Sequence, residues 1–157
     1  MEFILAHPIL IPFVFIGMWL LVLSLLSILG GWGAVAENYP ELGAEYSRIK
    51  YMQSLAMERL KFFPVNFSAV AVLSTNDQGV RISLLPPFRP FHPPIFLPFA
   101  DMDGVEKRVF FFTGAEIRLS RNSDVKILIS ESQAKWFEQA SRGNWAVRRK
   151  EPREITT

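Results

Sequence analysis

The chain has 157 residues, about the length of one domain; half of them are apolar, and the formal net charge is +2. So small a charge gives no argument for a nucleic-acid partner, and none is expected. The absence of cysteine removes disulfide, zinc-thiolate and thiol-nucleophile chemistry.

The apolar residues gather at the N-terminus. From Phe3 to Ala36 there is no Asp, Glu, Lys or Arg, and the one titratable side chain is His7, which reads as interfacial. Ile9 to Leu29 is apolar apart from two serines and a glycine. As a helix, that stretch covers roughly 30 Å, the thickness of a bilayer's hydrocarbon core. A buried helix of a small soluble domain is rarely apolar on every side. Residues 1–30 are therefore expected to form a transmembrane anchor, with Ile9, Phe13, Trp19, Leu25 and Leu29 in lipid and Trp32 at headgroup level. Pro8 and Pro12 fall at its start, where a missing N–H costs least. A cleaved signal peptide ending near Ala34-Val35-Ala36 is the rival reading. It is disfavoured by the length of the apolar run and by the lack of Lys or Arg before it. Arg48, Lys50, Arg59 and Lys61 follow the span and no Lys or Arg precedes it, which favours a cytoplasmic C-terminal side.

Residues 31–64 are expected to be a juxtamembrane connector and a helix. "GGWGAVAENYPELG" is glycine-rich and broken by Pro40. From Ala44 to Lys61 a helix is expected, since Tyr46, Ile49, Met52 or Gln53, Ala56 and Leu60 recur at helical steps and Pro64 ends the run. Tyr51, Leu55 and Met57 blur that stripe and suit a half-buried strand instead.

Residues 65–143 are expected to hold a β domain with a C-terminal helix. "FSAVAVLS" reads as a buried strand, "TNDQG" as a tight turn and "VRISLL" as an alternating strand. "RVFFFT", "AEIRLS" and "VKILIS" read as three more strands, the last two joined by "RNSD". Ser130 to Gln133 fits a capping box, and Gly143 suits the position past the helix end. Residues 144–157 read as a basic tail without a core pattern. Arg148, Arg149 and Lys150 are candidate interaction residues there, and together with Arg142 just before the tail and Arg153 they form one basic cluster, either solvated or touching anionic lipid.

The segment "LLPPFRPFHPPIFLPF", residues 84–99, holds six of the eleven prolines. Pro86 and Pro87 end one strand, since proline donates nothing to a ladder. "FRPFHPP" then crosses to the next with little chain entropy to lose. Ile95, Leu97 and Phe99 are expected to point inward, with Pro98 marking an edge strand or bulge. His92 is expected to fix the crossover through a backbone hydrogen bond, ahead of any ligand contact. Phe88, Arg89, Phe91 and His92 are candidate interaction residues. Phe88 and Phe91 could form an apolar tip entering lipid or a partner. A polyproline ligand over Pro87-Phe88-Arg89-Pro90 is disfavoured by the bulky phenylalanines.

No motif for chemistry emerges, and neither a metal nor a cofactor is expected. His7 and His92 are far apart, and "DMDG" reads as a turn and not a calcium loop, since Phe99 and Phe110 stand where ligand acids belong. There is no glycine-rich phosphate loop, nucleophile elbow or Ser–His–Asp spacing. The expectation is that this is not an enzyme.

The strand run, the proline block and the capping helix resemble a pleckstrin-homology-like (PH-like) domain of the GRAM variety. More narrowly, Gly31-Trp32, Val35-Ala36, Tyr39-Pro40 and His92-Pro93-Pro94-Ile95-Phe96-Leu97-Pro98-Phe99 resemble uncharacterised bacterial proteins with one membrane anchor and such a domain. The resemblance implies a partly open antiparallel β-barrel or sandwich capped by a helix, on the bacterial inner membrane. Eukaryotic domains of this class often bind phosphoinositides through basic residues between their first strands. The matching turn here, Thr75 to Gly79, has Asp77 and no Lys or Arg. Two functions are expected from different classes. The first is an accessory subunit docked on a larger membrane complex (photosynthetic, respiratory or transport). The second is a membrane-tethered module reading a lipid headgroup or a peptide.

Overall fold

A computed structural model of the chain describes residues 8–61, 63–109 and 112–149, with the side chains of Val109 and Phe112 excepted. His7, Lys150 and Arg153 lie outside the described residues. A long apolar helix, α1 (Leu10–Gly30), leads into a short helix, α2 (Trp32–Asn38). Seven strands follow: β1 (Arg48–Leu60), β2 (Phe63–Thr75), β3 (Gly79–Leu84), β4 (Ile95–Pro98), β5 (Met102–Val109), β6 (Phe112–Leu119) and β7 (Asn122–Ser130). The third helix, α3 (Glu131–Ala140), closes the fold. The strands form one antiparallel sheet in the order β4-β3-β2-β1-β7-β6-β5. Two meanders thus meet at β1 and β7, giving a partly open sheet capped by a C-terminal helix, as a PH-like domain has.

Helix α1 is 21 residues long and apolar enough to cross a membrane. Gly31 ends it in the left-handed conformation at φ 75°, its N–H returning to Ile28 O at 3.2 Å. A Cβ on Gly31 would lie 2.6 Å from Val125 Cγ2, so this bend needs glycine twice over. Inside α1, Leu23, Ser27 and Gly30 are buried and Trp19 is half-buried. Their spacing of four, four and three residues puts them on one stripe. That stripe packs on the sheet domain, while the other faces stay open: Phe13 is 67% exposed and Ile28 60%.

The connector after α1 belongs to the core. Trp32 was expected at headgroup level, and instead it is fully buried, as is Val35. The indole escapes the usual cost of burial because its N–H donates to Pro93 O at 2.7 Å. Tyr39 is buried too, its hydroxyl accepting from Arg121 N–H and its carbonyl from Phe96 N–H, both at 3.0 Å.

The helix expected over Ala44–Lys61 is strand β1, so the sheet begins at Arg48 and not at residue 65. Leu55 and Met57 are buried two residues apart, whereas Ile49, Met52 and Leu60 from the helical pattern are exposed. Pairing with β2 along its length, and with β7 from Ala56 to Glu58, overrides the local periodicity. Met52 and Ala69 carry positive φ at the irregular part of the β1–β2 ladder, which is why the period-two signal is faint there.

Two smaller expectations also change. "RVFFFT" is not one strand: β5 ends at Val109 and β6 begins at Phe112. "DMDG" holds only the end of a 3₁₀ turn, and β5 starts at Met102. The capping box is present as expected, with Ser130 Oγ accepting from Gln133 N–H and Gln133 Oε1 from Ser130 N–H. Gln133 has a further role. Its Nε2 donates to Ser54 O at 3.0 Å, which ties α3 to the part of β1 that β7 leaves unpaired.

Candidate functional site

The proline block runs as expected at both ends. β3 stops at Leu84, Pro86–Phe88 form a 3₁₀ turn, and β4 is an edge strand with Ile95 and Leu97 fully buried. Between them the crossover lies against α1. Trp19 Nε1 donates to Pro87 O at 3.1 Å, and Ser27 Oγ donates to Phe91 O at 2.7 Å. The ring centroids of Trp19 and Phe88 are 5.3 Å apart. With the bond from Trp32 to Pro93, three carbonyls of the crossover receive side chains from the N-terminal helices. These bonds tie the N-terminal helices to the crossover of the sheet domain.

His92 is the buried pin of this arrangement, 1% exposed. Its ring sits edge-on to Trp32 and Phe67, at 5.2 and 5.5 Å. Nδ1 lies 2.9 Å from Pro90 O. A carbonyl can only accept, so Nδ1 carries the proton of the neutral ring. Nε2 is buried without a hydrogen-bond partner among the described residues. Burial pushes the pKa of His92 below 6.5, and the backbone carbonyls of Pro90 and Phe88 offset this only in part. The backbone hydrogen bond expected of His92 is thus present.

The structure brings Phe88, Arg89, Phe91 and His92 together with Trp19 in one place. Phe91 is 54% exposed at φ 63°, and Phe88 is half-buried. Arg89 is exposed and its Nε donates to Leu84 O at 3.0 Å. Ile9, Phe13, Leu25 and Leu29 are exposed along α1. The signal for the α1 contact was present in the sequence: Trp19 and Ser27 lie eight residues apart, with Leu23 midway, on one stripe of a mostly apolar run.

Arg148 and Arg149 are elsewhere and are not part of a free basic tail. Arg148 makes a two-pronged ion pair with Asp103, and its backbone bridges Val105. Arg149 lies 3.7 Å from Glu138. The segment is held by Trp145, which is buried between Phe99 and Phe137 and donates from Nε1 to Met102 O at 3.0 Å. Gly104 leaves the room for it, since a Cβ there would come within 2.7 Å of the indole.

A second cluster, on the sheet, is structural. Glu116 is buried and takes hydrogen bonds from Lys107 Nζ and Arg118 Nε, both at 2.9 Å, with Lys126 at 3.7 Å. Burial pushes its pKa up, but the two hydrogen bonds and the cations outweigh that and hold it below its ordinary value. Among the described residues, no three His, Asp or Glu side chains gather as metal ligands would.

Comparison of the chain with protein-family models and with curated proteins finds no match in either.

Proposed function

We propose that this chain is a non-enzymatic, membrane-anchored interaction protein, an accessory subunit that docks on and stabilises a larger membrane protein complex. The observation that carries this reading is the division of α1 into two faces. One stripe, Trp19, Leu23, Ser27 and Gly30, is committed to the chain's own domain. Most of the rest is apolar and open, with Phe13, Leu21 and Ile28 each at least 60% exposed. A helix that only tethered a mobile head would need no such fixed stripe. A bonded joint holds the sheet domain at a set orientation to the bilayer, as docking on a neighbouring subunit requires. The bacterial inner membrane, with the sheet domain cytoplasmic, is the proposed location. Arg59 supports that sidedness: its Nη1 reaches Ile28 O at 3.5 Å, so the fold carries a cation to the end of α1.

The test is native-gel migration and mass spectrometry after extraction in mild detergent. A stoichiometric complex with other membrane subunits is expected. A monodisperse single chain under those conditions would count against it.

A second reading, a tethered module for lipid headgroups or a peptide, has one observation in its favour. A hollow of about 380 Å³ is lined by Arg48 and Arg142, with Tyr46, Ser47 and Asn76 beside them. Glu45 and Asp77 share the wall and oppose an anionic ligand.

A further inference from the structure

We propose that the crossover from Pro86 to Phe91 is embedded in the bilayer, lying along α1 among the acyl chains of the leaflet next to the sheet domain. The proposal rests on the reading of α1 as a membrane span.

Depth is the first argument. Arg59, bonded at Ile28, marks the level of headgroups, because a charged guanidinium resists the hydrocarbon. Trp19 is nine residues earlier in α1, which sets it about 13 Å deeper along the axis. Pro87 O is held at Trp19, and Phe91 O at Ser27 nearer the domain. The crossover therefore runs beside α1 from its last turns toward its middle.

The backbone supplies the second argument. Away from regular structure, chain at this depth persists only where protein satisfies its polar groups. Pro86, Pro87 and Pro90 have no N–H to satisfy. Phe88 N–H donates to Leu85 O at 2.9 Å and Arg89 N–H to Pro86 O at 3.3 Å. The carbonyls of Pro87, Pro90 and Phe91 are taken by Trp19, His92 and Ser27. The carbonyl of Arg89 accepts from His92 N–H at 2.8 Å, and the exceptions are the Phe91 N–H and the Phe88 carbonyl, which make no hydrogen bond among the described residues. A loop bathed in water has no need of so complete an arrangement.

The surface supplies the third. Pro86, Pro87, Pro90 and Phe91 are exposed and apolar, and they continue the open surface of α1. Arg89, the one charge of the segment, turns its guanidinium back to the Leu84 carbonyl at the end of β3, away from the apolar residues of the crossover.

The chain lacks cysteine, so single-cysteine variants each take one fluorophore. The full chain is placed in phosphatidylcholine–phosphatidylglycerol vesicles whose acyl chains carry bromine. Phe13→Cys reports on α1, and Pro87→Cys and Phe91→Cys report on the crossover. Arg142→Cys, in the hollow beside Arg48 at the opposite end of β1 from Leu60, is the aqueous reference. Quenching at positions 87 and 91 is expected to be of the same order as at 13, and at least about five-fold above that at 142, as burial within a ~30 Å hydrocarbon core requires. If 13 is quenched while both 87 and 91 match 142, the crossover lies in water and the proposal falls, leaving the anchor intact. If 13 is not quenched, the anchor reading falls as well. Two crossover positions are used so that one misfolded variant does not decide the matter.

Discussion

Ser27 Oγ lies 2.7 Å from the carbonyl oxygen of Phe91, across 64 residues of sequence. A serine inside an apolar helix is thereby paired with a loop residue whose φ is positive. This one bond joins the element that would enter a membrane to the segment that links β3 and β4.

Ser27→Ala removes that donor and leaves the Phe91 carbonyl unpaired next to an apolar helix. Loss of a buried hydrogen-bond partner costs about 1–3 kcal/mol. A lower thermal midpoint in mild detergent is expected, with faster amide exchange confined first to residues around Phe88 and Arg89. Ser24→Ala, elsewhere on α1, is expected to leave both unchanged.

Gly31→Ala places a methyl 2.6 Å from Val125 Cγ2 at a φ of 75°. Strain and overpacking together are expected to cost about 1–3 kcal/mol, read as a lower unfolding midpoint. Gly33→Ala is the matched comparison. Gly33 lies in α2 with open space around its Cβ position, and alanine there is expected to be neutral or stabilising by up to about 1 kcal/mol.

Trp145→Ala empties a buried site between Phe99, Phe137 and Gly104 and is expected to cost about 3–5 kcal/mol. Arg148→Ala breaks an ion pair whose partners are largely exposed, worth about 1 kcal/mol or less. The contrast, measured by unfolding midpoints, separates a docked segment from a charged tail. A chain ending at Gly143 is expected to behave like Trp145→Ala.

Stability is expected to fall with acid in two stages. His92 has a folded pKa below 6.5, so its contribution is complete above that value and is lost as pH drops through the folded pKa. Glu116 has a folded pKa below 4.5, so its contribution is complete above 4.5 and is lost at still lower pH. His92→Asn keeps a donor near Pro90 and cannot titrate, and it is expected to remove the first stage alone. Glu116→Gln is expected to remove the second. Unfolding midpoints across pH check both, and a profile unchanged by either substitution would contradict the assignment.

Much of the fold was legible from short patterns. The capping box at Ser130 and Gln133 depends on side chains three residues apart, and it is present as read. The inward alternation of Ile95, Leu97 and Phe99 and the edge position of Pro98 follow from strand periodicity and proline's missing donor. Arg48–Leu60 was misread because its local spacing favours a helix, whereas its state is set by β2 and β7, distant partners that a helical window does not contain. Trp32 and Trp145 were placed outside the core for a similar reason. An indole suits a membrane interface or a tail equally well until a distant carbonyl, Pro93 O or Met102 O, takes its N–H. At the candidate site, the sequence singled out Phe88, Arg89, Phe91 and His92, but not the Trp19 and Ser27 contacts that give them a setting.

By itself, the sequence determined an apolar helix long enough to cross a bilayer, the breaks that proline and glycine impose, and the cap that starts α3. These depend on solvation and on neighbours within a turn, which the linear order contains. The tertiary structure alone decided which face of α1 is covered, that the connector and Trp145 enter the core, and that the proline block lies against the helix. Those outcomes are set by hydrogen bonds and packing between residues far apart in the chain, whose geometry exists only once the sheet has formed.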